Sequence, residues 1–347
     1  MRPVPAELEL LKPVDLCTRD GRLNRAAVGW SREPVHRADI PAPWGRRKRW
    51  DFWGVVAPGC VMNLTVADLD YLGMVDVWLL DRSTLKTFTC SVPVPLARGI
   101  ELPDKVAAQP IRFEGRAAWV SIDEETKGTR LRVDARAGGH RLEADVLVTR
   151  PAAHESLSVV IPWSDKHFQL TTKDVSRPAE GYVRWGNTRY GLAADDGASY
   201  GVLDYGRGVW PYRSNWNWGA AAGRARGTNG AVRLGLQLGG KWTVGTGMTE
   251  NALFVDGRLS KISEELTWNY DPRDWLRPWT IRTPASDRVD VTFTPVYDKK
   301  TRVQAVAVES RVDQCFGTYS GTVVDDAGSR ITFDALFGWA EEAMWRW

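Results

Sequence analysis

Along most of the chain, apolar and polar side chains alternate one by one, which is the pattern of a β-strand with one buried face. The alternation is regular over residues 289–293, and three strands separated by Gly and Pro breaks are predicted over residues 49–81. Asp256-Gly257 is a strong signal for a hairpin turn. No long segment has the 3.6-residue period of an amphipathic helix. The pattern therefore predicts an all-β protein, with antiparallel sheets closed into barrels or sandwiches.

Length and pattern together predict the domain organisation. At 347 residues the chain is longer than one hydrophobic core normally serves, so two structural units are expected. Residues 1–48 contain many Pro and Gly and have no lasting period, which predicts an extended lead-in. We predict that two β domains follow, at residues 49–200 and 201–347.

Composition argues against several classes of function. The net charge is only +3 with both signs interspersed, whereas a nucleic-acid-binding protein would show a clustered basic face. No apolar stretch is long enough to span a membrane, and the N-terminus has no secretion-signal pattern. The cysteines have the spacing of neither a zinc site nor a disulfide framework: Cys17, Cys60, Cys90 and Cys315. We therefore predict a soluble, cytoplasmic protein with free thiols that binds no nucleic acid.

Tryptophan is the anomalous residue, with 18 copies in a chain whose hydrophobic content of 43% is ordinary. Trp is rarely buried completely and is favoured where an apolar body meets a ligand. The densest run is GVWPYRSNWNWG, in which alternation places Trp216 and Trp218 on one face of a strand and the asparagines on the other. The run predicts the aromatic wall of a ligand site or, alternatively, a barrel rim packed by aromatics. Its predicted binding residues are Trp210, Tyr212, Trp216, Asn217 and Trp218.

A first pair of carboxylates could supply a proton to a ligand. Asp68 and Asp70 are two residues apart, so on a strand they share one face, beside Trp53 and Tyr71. Repulsion between the two carboxylates would raise one pKa into the range of a general acid. The alternative is a strand-end turn in which both cap backbone N–H groups, because Asp is depleted in strand interiors.

A second pair consists of Glu250, which precedes Asn251, and Glu341 in the string GWAEE. A Glu on a strand that enters an apolar barrel could donate a proton, but structural salt bridges to arginines explain both residues equally well. The predicted catalytic residues are thus Asp68, Asp70, Glu250 and Glu341, and the further predicted binding residues are Trp53, Tyr71 and Asn251. The sequence has no nucleophile motif, phosphate loop or metal-ligand spacing, so no metal or cofactor is predicted.

Several long, Trp-containing strings carry a family resemblance. In chain order they include RWDFWGV, TVADLDYLG, IPWSDKHFQLTTK, LDYGRGVWPYRSNWNWGAAAG, GTGMTENALFVDGRL, FGTYSG and LFGWAEE. Over roughly residues 45–347 the chain resembles the bacterial family called domain of unknown function 2804. Members often have a His just before the string that reads FGTYSG here. This chain has Asp313, Gln314 and Cys315 at those positions, so no role of that His is carried over.

The resemblance implies both a fold and a class of substrate. The family is distantly similar to two-domain lipocalin-like proteins, which include carotenoid hydratase, the AttH-like proteins, tocopherol cyclase and some Diels–Alder cyclases. It implies two consecutive calycin-type barrels with a cavity in or between them. The implied substrates are apolar and often isoprenoid- or polyketide-like.

Three functions remain open from the sequence. The leading hypothesis is a cofactor-independent hydratase, cyclase or isomerase that protonates an apolar, unsaturated small molecule with a carboxylic acid. The first alternative is a lipocalin-like carrier of a hydrophobic ligand, which needs a cavity but no acid. The second is a carbohydrate-active protein, with two carboxylates across an open groove. The sequence indicates neither the substrate nor the oligomeric state.

Overall fold

The computed structural model describes residues 7–195, 197–228, 230–304 and 309–346. Strands make up 63% of the chain and helix 1%, which confirms the all-β prediction. The helical element in these ranges is the single 3-10 turn Arg25–Ala27. None of the helical structure described is long and apolar enough to cross a membrane.

The described residues form fifteen strands before residue 210, numbered in chain order. They are β1 (Val14–Asp15), β2 (Trp30–Ser31), β3 (His36–Arg37), β4 (Arg47–Val56), β5 (Cys60–Asp68), β6 (Leu72–Asp81), β7 (Thr87–Pro95), β8 (Ile111–Glu114), β9 (Ala118–Glu125), β10 (Gly128–Ala137), β11 (His140–Thr149), β12 (Leu157–Pro162), β13 (Phe168–Trp185), β14 (Thr188–Leu192) and β15 (Tyr200–Val209). Nine strands follow. They are β16 (Arg213–Gly227), β17 (Gly230–Gly240), β18 (Asn251–Val255), β19 (Arg258–Ile262), β20 (Thr267–Asn269), β21 (Trp279–Arg282), β22 (Val289–Gln304), β23 (Glu309–Val324) and β24 (Arg330–Arg346).

The strands form two large antiparallel sheets. The first runs in the order β7-β6-β5-β4-β15-β13-β11-β10-β9-β8, with β12 and β14 paired to β13 and β2 paired to β12. The two arms of this sheet curl toward each other. Their proximity is seen where the Cys90 thiol on β7 donates to the Arg136 carbonyl on β10 at 3.7 Å. The second sheet runs in the order β19-β18-β17-β16-β24-β23-β22-β21-β20. Strands β1 and β3 form a separate parallel pair in the N-terminal lead-in.

Three hydrophobic cores follow from this arrangement. One lies within the curl of the first sheet, one lies within the curl of the second, and the third lies between the two sheets. Strand β4 shows how alternation divides the side chains, because Trp53 enters the first core while Trp50 and Phe52 pack on the core between the sheets. Gly54 allows the close approach there, since a Cβ would lie 2.7 Å from the Trp339 ring.

The pairings bear on the expected boundary near residue 200. Strand β15 pairs with β4 and β13 along its whole length and therefore belongs to the first sheet. The lead-in also packs on that sheet, with Leu16 and Leu23 buried in its core. We propose that the two domains meet in the short connection between Val209 and Arg213.

The cysteine prediction can be compared directly with the structure. Cys60, Cys90 and Cys315 are buried, Cys17 is half-buried, and all four are free thiols. Burial raises the pKa of the Cys60 thiol to about 12, so this thiol is unreactive near neutral pH.

Candidate functional site

A cavity of about 230 Å³ lies between the two sheets, beside the core that they share. For comparison, an engineered cavity of about 150 Å³ holds a benzene molecule, so this one has room for a larger ligand. The side chains from the first sheet and its loops are Trp50, Phe52, Thr65, Ala67, Leu69, Met74, Thr171, Lys173, Asp204 and Trp210. Those from the second sheet and its loops are Trp216, Trp218, Trp242, Glu250, Lys299, Thr301, Val312, Gln314, Glu341 and Trp345.

Strand register arranges the chemically important side chains of the second sheet in one transverse row. From β22 through β23, β24 and β16 to β17, the paired positions are Lys299, Gln314, Glu341, Trp218 and Gly239. Paired residues on neighbouring antiparallel strands share a face, and the strands are about 4.8 Å apart. The row therefore runs across the cavity wall, with an acid at its centre.

Glu341 is a buried carboxyl group held by two neutral donors. The Trp216 indole N–H donates to Oε1 at 2.8 Å, and the Gln314 amide donates to Oε2 at 2.9 Å. Asn63 on the first sheet donates in turn to the Gln314 carbonyl at 3.0 Å, which fixes the amide orientation. Burial raises the pKa of Glu341 to about 7, although the hydrogen bond from Trp216 and the positive charge of Lys173 oppose this.

Glu250 lies at the far end of the row, in the space that Gly239 leaves free. Its side chain lies over Gly239, where an added Cβ would be 2.3 Å from the Glu250 Cγ. The Trp242 indole N–H donates to Oε1 at 2.6 Å. Oε2 lies 3.4 Å from the Lys173 ammonium, an ion-pair distance without hydrogen-bond geometry. Burial raises the pKa of Glu250 to about 7, against the opposing effect of Lys173.

Lys173 and Asp204 form a buried ion pair on the facing sheet. The Lys173 ammonium lies 3.0 Å from Asp204 Oδ1 and 4.2 Å from the centroid of the Trp218 ring. Thr171 and the Trp50 indole donate to Asp204 at 3.0 and 3.1 Å. The negative charges of Asp204 and Glu250 raise the pKa of Lys173 despite its burial, so this lysine is a cation. One permanent charge pair thus lies beside two carboxyl groups that titrate near neutral pH.

The aromatic wall is built from three segments of the chain. Trp210 stacks on Trp242 with ring centroids 5.4 Å apart and planes 3° from parallel. Trp216 meets Trp210 edge to face at 5.6 Å, and Trp163 packs behind both Trp210 and Trp242. These rings are held by hydrogen bonds as well as by packing, since the Trp210 indole donates to Gln169 at 2.7 Å. The wall is therefore rigid and presents aromatic faces and edges to the cavity.

Exposure changes across the cavity from floor to entrance. Trp218 and Glu250 on the floor are buried, whereas Trp216, Val312 and Trp345 are half-buried and Thr301 is exposed. A ligand would thus enter past β22 and β23, with its far end between Trp218 and Glu250.

The structure brings five of the predicted site residues into this cavity: Trp210, Trp216, Trp218, Glu250 and Glu341. Tyr212 does not join them, because it lies in the connection before β16 and its side chain is 51% exposed. Asn217 faces away from the cavity, as alternation requires, and donates to the Glu341 carbonyl at 3.1 Å. Asn251 also serves the backbone, since it accepts from the Gly239 N–H at 2.6 Å and donates to the Glu264 carbonyl.

The predicted group around Asp68 and Asp70 lies outside the cavity. Asp68 ends β5, where it pairs with Arg49 and accepts from the Asp70 N–H at 2.7 Å. Asp70 has a φ of 70° and accepts from the backbone N–H groups of Gly45 and Arg47 at 2.8 and 3.0 Å. These contacts match the alternative prediction, in which both carboxylates cap backbone N–H groups at the end of a strand. The expectation that both carboxylates share one strand face fails because the strand ends at Asp68.

The two aromatic residues predicted beside these carboxylates are also structural. Trp53 is buried in the first core, where the Arg177 guanidinium lies 5.4 Å from its ring centroid. The Lys48 ammonium lies over the Tyr71 ring, 4.6 Å from its centroid. The candidate site therefore excludes Asp68, Asp70, Trp53 and Tyr71.

Other functional residues gave weak signals in the sequence. Trp50 belonged to the predicted aromatic strand, but alternation alone does not show which face meets the second sheet. Lys173 stands next to Asp174 in the sequence, so local pattern did not distinguish it from one half of an ordinary surface charge pair. The remaining residues missed by sequence reasoning include Asp204, Trp242, Lys299, Gln314 and Trp345.

Comparisons with known proteins agree with this architecture. A family model described as Domain of unknown function (DUF2804) matches residues 7–347. Among solved structures, kievitone hydratase from Nectria haematococca superposes with a TM-score of 0.51 at 11% identity, covering 88% of this chain and 93% of that one. CghA with Sch210972 gives a TM-score of 0.45 at 10% identity, covering 86% and 88%. No curated protein sequence matches. The likeness to kievitone hydratase shows a two-domain, lipocalin-like fold.

Proposed function

The chain belongs to the family described as Domain of unknown function (DUF2804), and we propose that it is a cofactor-independent enzyme of hydratase, cyclase or isomerase type. Its substrate is an apolar, unsaturated small molecule of isoprenoid- or lipid-like character. One observation carries the proposal: two buried carboxyl groups with pKa values of about 7 lie on the wall of an aromatic cavity. A carrier needs no acid, whereas a general acid works best with a pKa near the working pH.

The two carboxyl groups take different roles because their neighbours differ. Glu341 accepts hydrogen bonds from neutral groups and makes no ion pair among the described residues, so it is the proton donor. Glu250 lies 3.4 Å from the Lys173 ammonium, which stabilises its anionic form, so it is the base. The two positions are separated by Trp218 and lie two strands apart, about 10 Å. A ligand in the cavity would therefore have the acid on one side and the base on the other.

The reaction balances with these groups alone. The Glu341 proton adds to one alkene carbon, whose π electrons form the new C–H bond and leave a cation on the other carbon. In a hydratase, water adds to that cation and passes its extra proton to Glu250. In an isomerase, a carbon next to the cation loses a proton to Glu250 and a new double bond forms. In a cyclase, an internal double bond first attacks the cation, and a carbon next to the new cation then loses a proton to Glu250. Each cycle leaves Glu341 ionised and Glu250 protonated, and proton exchange with water restores both.

Aromatic faces stabilise the positive charge that develops. Each indole face within about 6 Å contributes about 0.5–2 kcal/mol. The candidates are Trp210, Trp216 and Trp242, whereas the Trp218 ring already carries the Lys173 ammonium. The likeness to kievitone hydratase concerns the fold, and the chemistry is argued from the cavity. We also propose a cytoplasmic location, which four free thiols support.

Conversion of the natural ligand tests the proposal. Small molecules that copurify with the Glu341→Gln variant would be extracted and incubated with wild-type protein in heavy-oxygen water. We expect mass spectrometry to show a product that carries the heavy oxygen for a hydratase, or an isomer of unchanged mass for a cyclase or isomerase. Recovery of the same ligand, unchanged, from both proteins would contradict the proposal and indicate a carrier.

A further inference from the structure

Lys299 is a lysine on the cavity wall that the proposed reaction does not use. It lies on β22 in the same row as Gln314 and Glu341, two strands and about 10 Å from the acid. Its ammonium lies 4.6 Å from the centroid of the Trp78 ring. It has no ion pair and no hydrogen bond with any residue in the described ranges. This lysine is thus placed by an aromatic ring rather than by an anion.

Three other buried or half-buried lysines have anionic partners, whereas the buried Lys48 ammonium contacts backbone carbonyls and the Tyr71 ring. Lys173 pairs with Asp204, Lys241 pairs with Glu342 at 2.7 Å, and Lys261 pairs with Glu7. Burying an ammonium without a partner costs free energy, so proteins pair such groups unless a ligand does so. Lys299 has no anionic partner among the described residues and lies where a ligand in the cavity would be within reach.

The acidic groups nearest to Lys299 leave it without a local counter-charge. Asp76 and Glu341 act on it from beyond ion-pair distance, and Asp76 already accepts a hydrogen bond from the Ser91 hydroxyl. Burial lowers the pKa of Lys299, and the two carboxyl groups oppose this. Protonation of Glu341 then removes one of these two negative charges from the surroundings of Lys299.

We propose that the ligand of this cavity carries an anionic oxygen group, a carboxylate or an ionised enol or phenol, that pairs with Lys299. This inference rests on the proposed function and narrows its substrate class. The anionic group lies toward the half-exposed entrance beside β22 and β23. The unsaturated part of the ligand then extends along the row toward Glu341 and Trp218. The substrate is accordingly an apolar, unsaturated acid rather than a neutral hydrocarbon.

Calorimetric titration with two matched probes tests this inference. Cinnamate and cinnamamide have the same planar, unsaturated skeleton, and only cinnamate is an anion at about pH 6, where Glu341 is protonated. We expect wild-type protein to bind cinnamate at least about tenfold more tightly than cinnamamide. Lys299→Met should weaken cinnamate binding at least about tenfold and change cinnamamide binding by less than about twofold. Lys299→Gln provides a second variant should the first fail to fold.

The neighbouring lysine provides a matched control. Lys300 is exposed, lies 3.6 Å from Asp298 and is directed away from the cavity wall, so Lys300→Met should keep both affinities. Equal wild-type affinities for the two probes, no binding of either, or an unchanged cinnamate preference in Lys299→Met would each overturn the inference. A different result would contradict the proposed function while leaving this inference intact. A protein that keeps a Lys299-dependent preference but converts no ligand is a carrier of anionic molecules.

Discussion

Replacing Glu341 with Gln is expected to lower the turnover rate by about 10²–10⁴-fold while leaving ligand affinity within about twofold. The amide keeps the shape of the side chain and can still accept a hydrogen bond from Trp216, but it has no acidic proton. An interaction used only in the transition state affects kcat rather than binding. The measurement is kcat and Kd for the ligand identified by extraction, at a pH below 7.

Two further variants sharpen this prediction. Glu250→Gln should also lower kcat, because the amide cannot take up a proton from water or from the substrate. Glu342→Gln is the control, since that residue is adjacent on β24 but pairs with Lys241 and Arg311 outside the cavity. Wild-type turnover in Glu341→Gln, or an equal loss in Glu342→Gln, would remove Glu341 from the mechanism.

Trp339→Ala is expected to lower the free energy of unfolding by about 3–5 kcal/mol. Trp339 is fully buried in the core between the sheets, and its ring meets Trp218 edge to face at 5.2 Å and packs on Gly54. Because Trp339 has no exposed surface, removal of its ring leaves a cavity inside the core. The measurement is denaturant unfolding of the variant and the wild type.

Trp216→Ala is the matched variant on the cavity side. Trp216 is half-buried and has the cavity on one side, so we expect a loss of only about 1–2 kcal/mol of stability. Cinnamamide binding should weaken markedly, because an aromatic surface of the site is lost. Equal destabilisation by both replacements, together with unchanged cinnamamide binding in Trp216→Ala, would show that Trp216 is ordinary core.

Period-two alternation explains what the sequence could predict. It correctly placed Trp216 and Trp218 on one strand face and Asn217 on the other, because β16 is regular there. The same rule failed for Asp70, which follows the last residue of β5 and has a left-handed backbone conformation. Alternation holds only inside a strand, and strand ends are the least certain part of a sequence-based assignment.

Long-range pairing explains what the sequence could not predict. Glu250 reaches the cavity because Gly239 leaves space for it, and Glu341 lies next to Trp218 because β24 pairs with β16. Lys173 comes from the other sheet, so only the packing of two domains brings it within 3.4 Å of Glu250. Local pattern identifies candidate residues, whereas contacts between distant segments decide which of them share a site.

The proposed mechanism requires Glu341 to be a neutral acid in the aromatic cavity at a pH just below 7. Infrared difference spectroscopy of the carboxyl C=O stretch measures this directly, with Glu341→Gln as the reference. The background variant Glu250→Gln removes the coupled titration of the second acid. We expect a protonated-carboxyl band at about pH 6 that disappears with an apparent pKa of about 7 and is absent from the reference. A spectrum without that band at about pH 6 would show an ionised Glu341, which could not act as the proton donor.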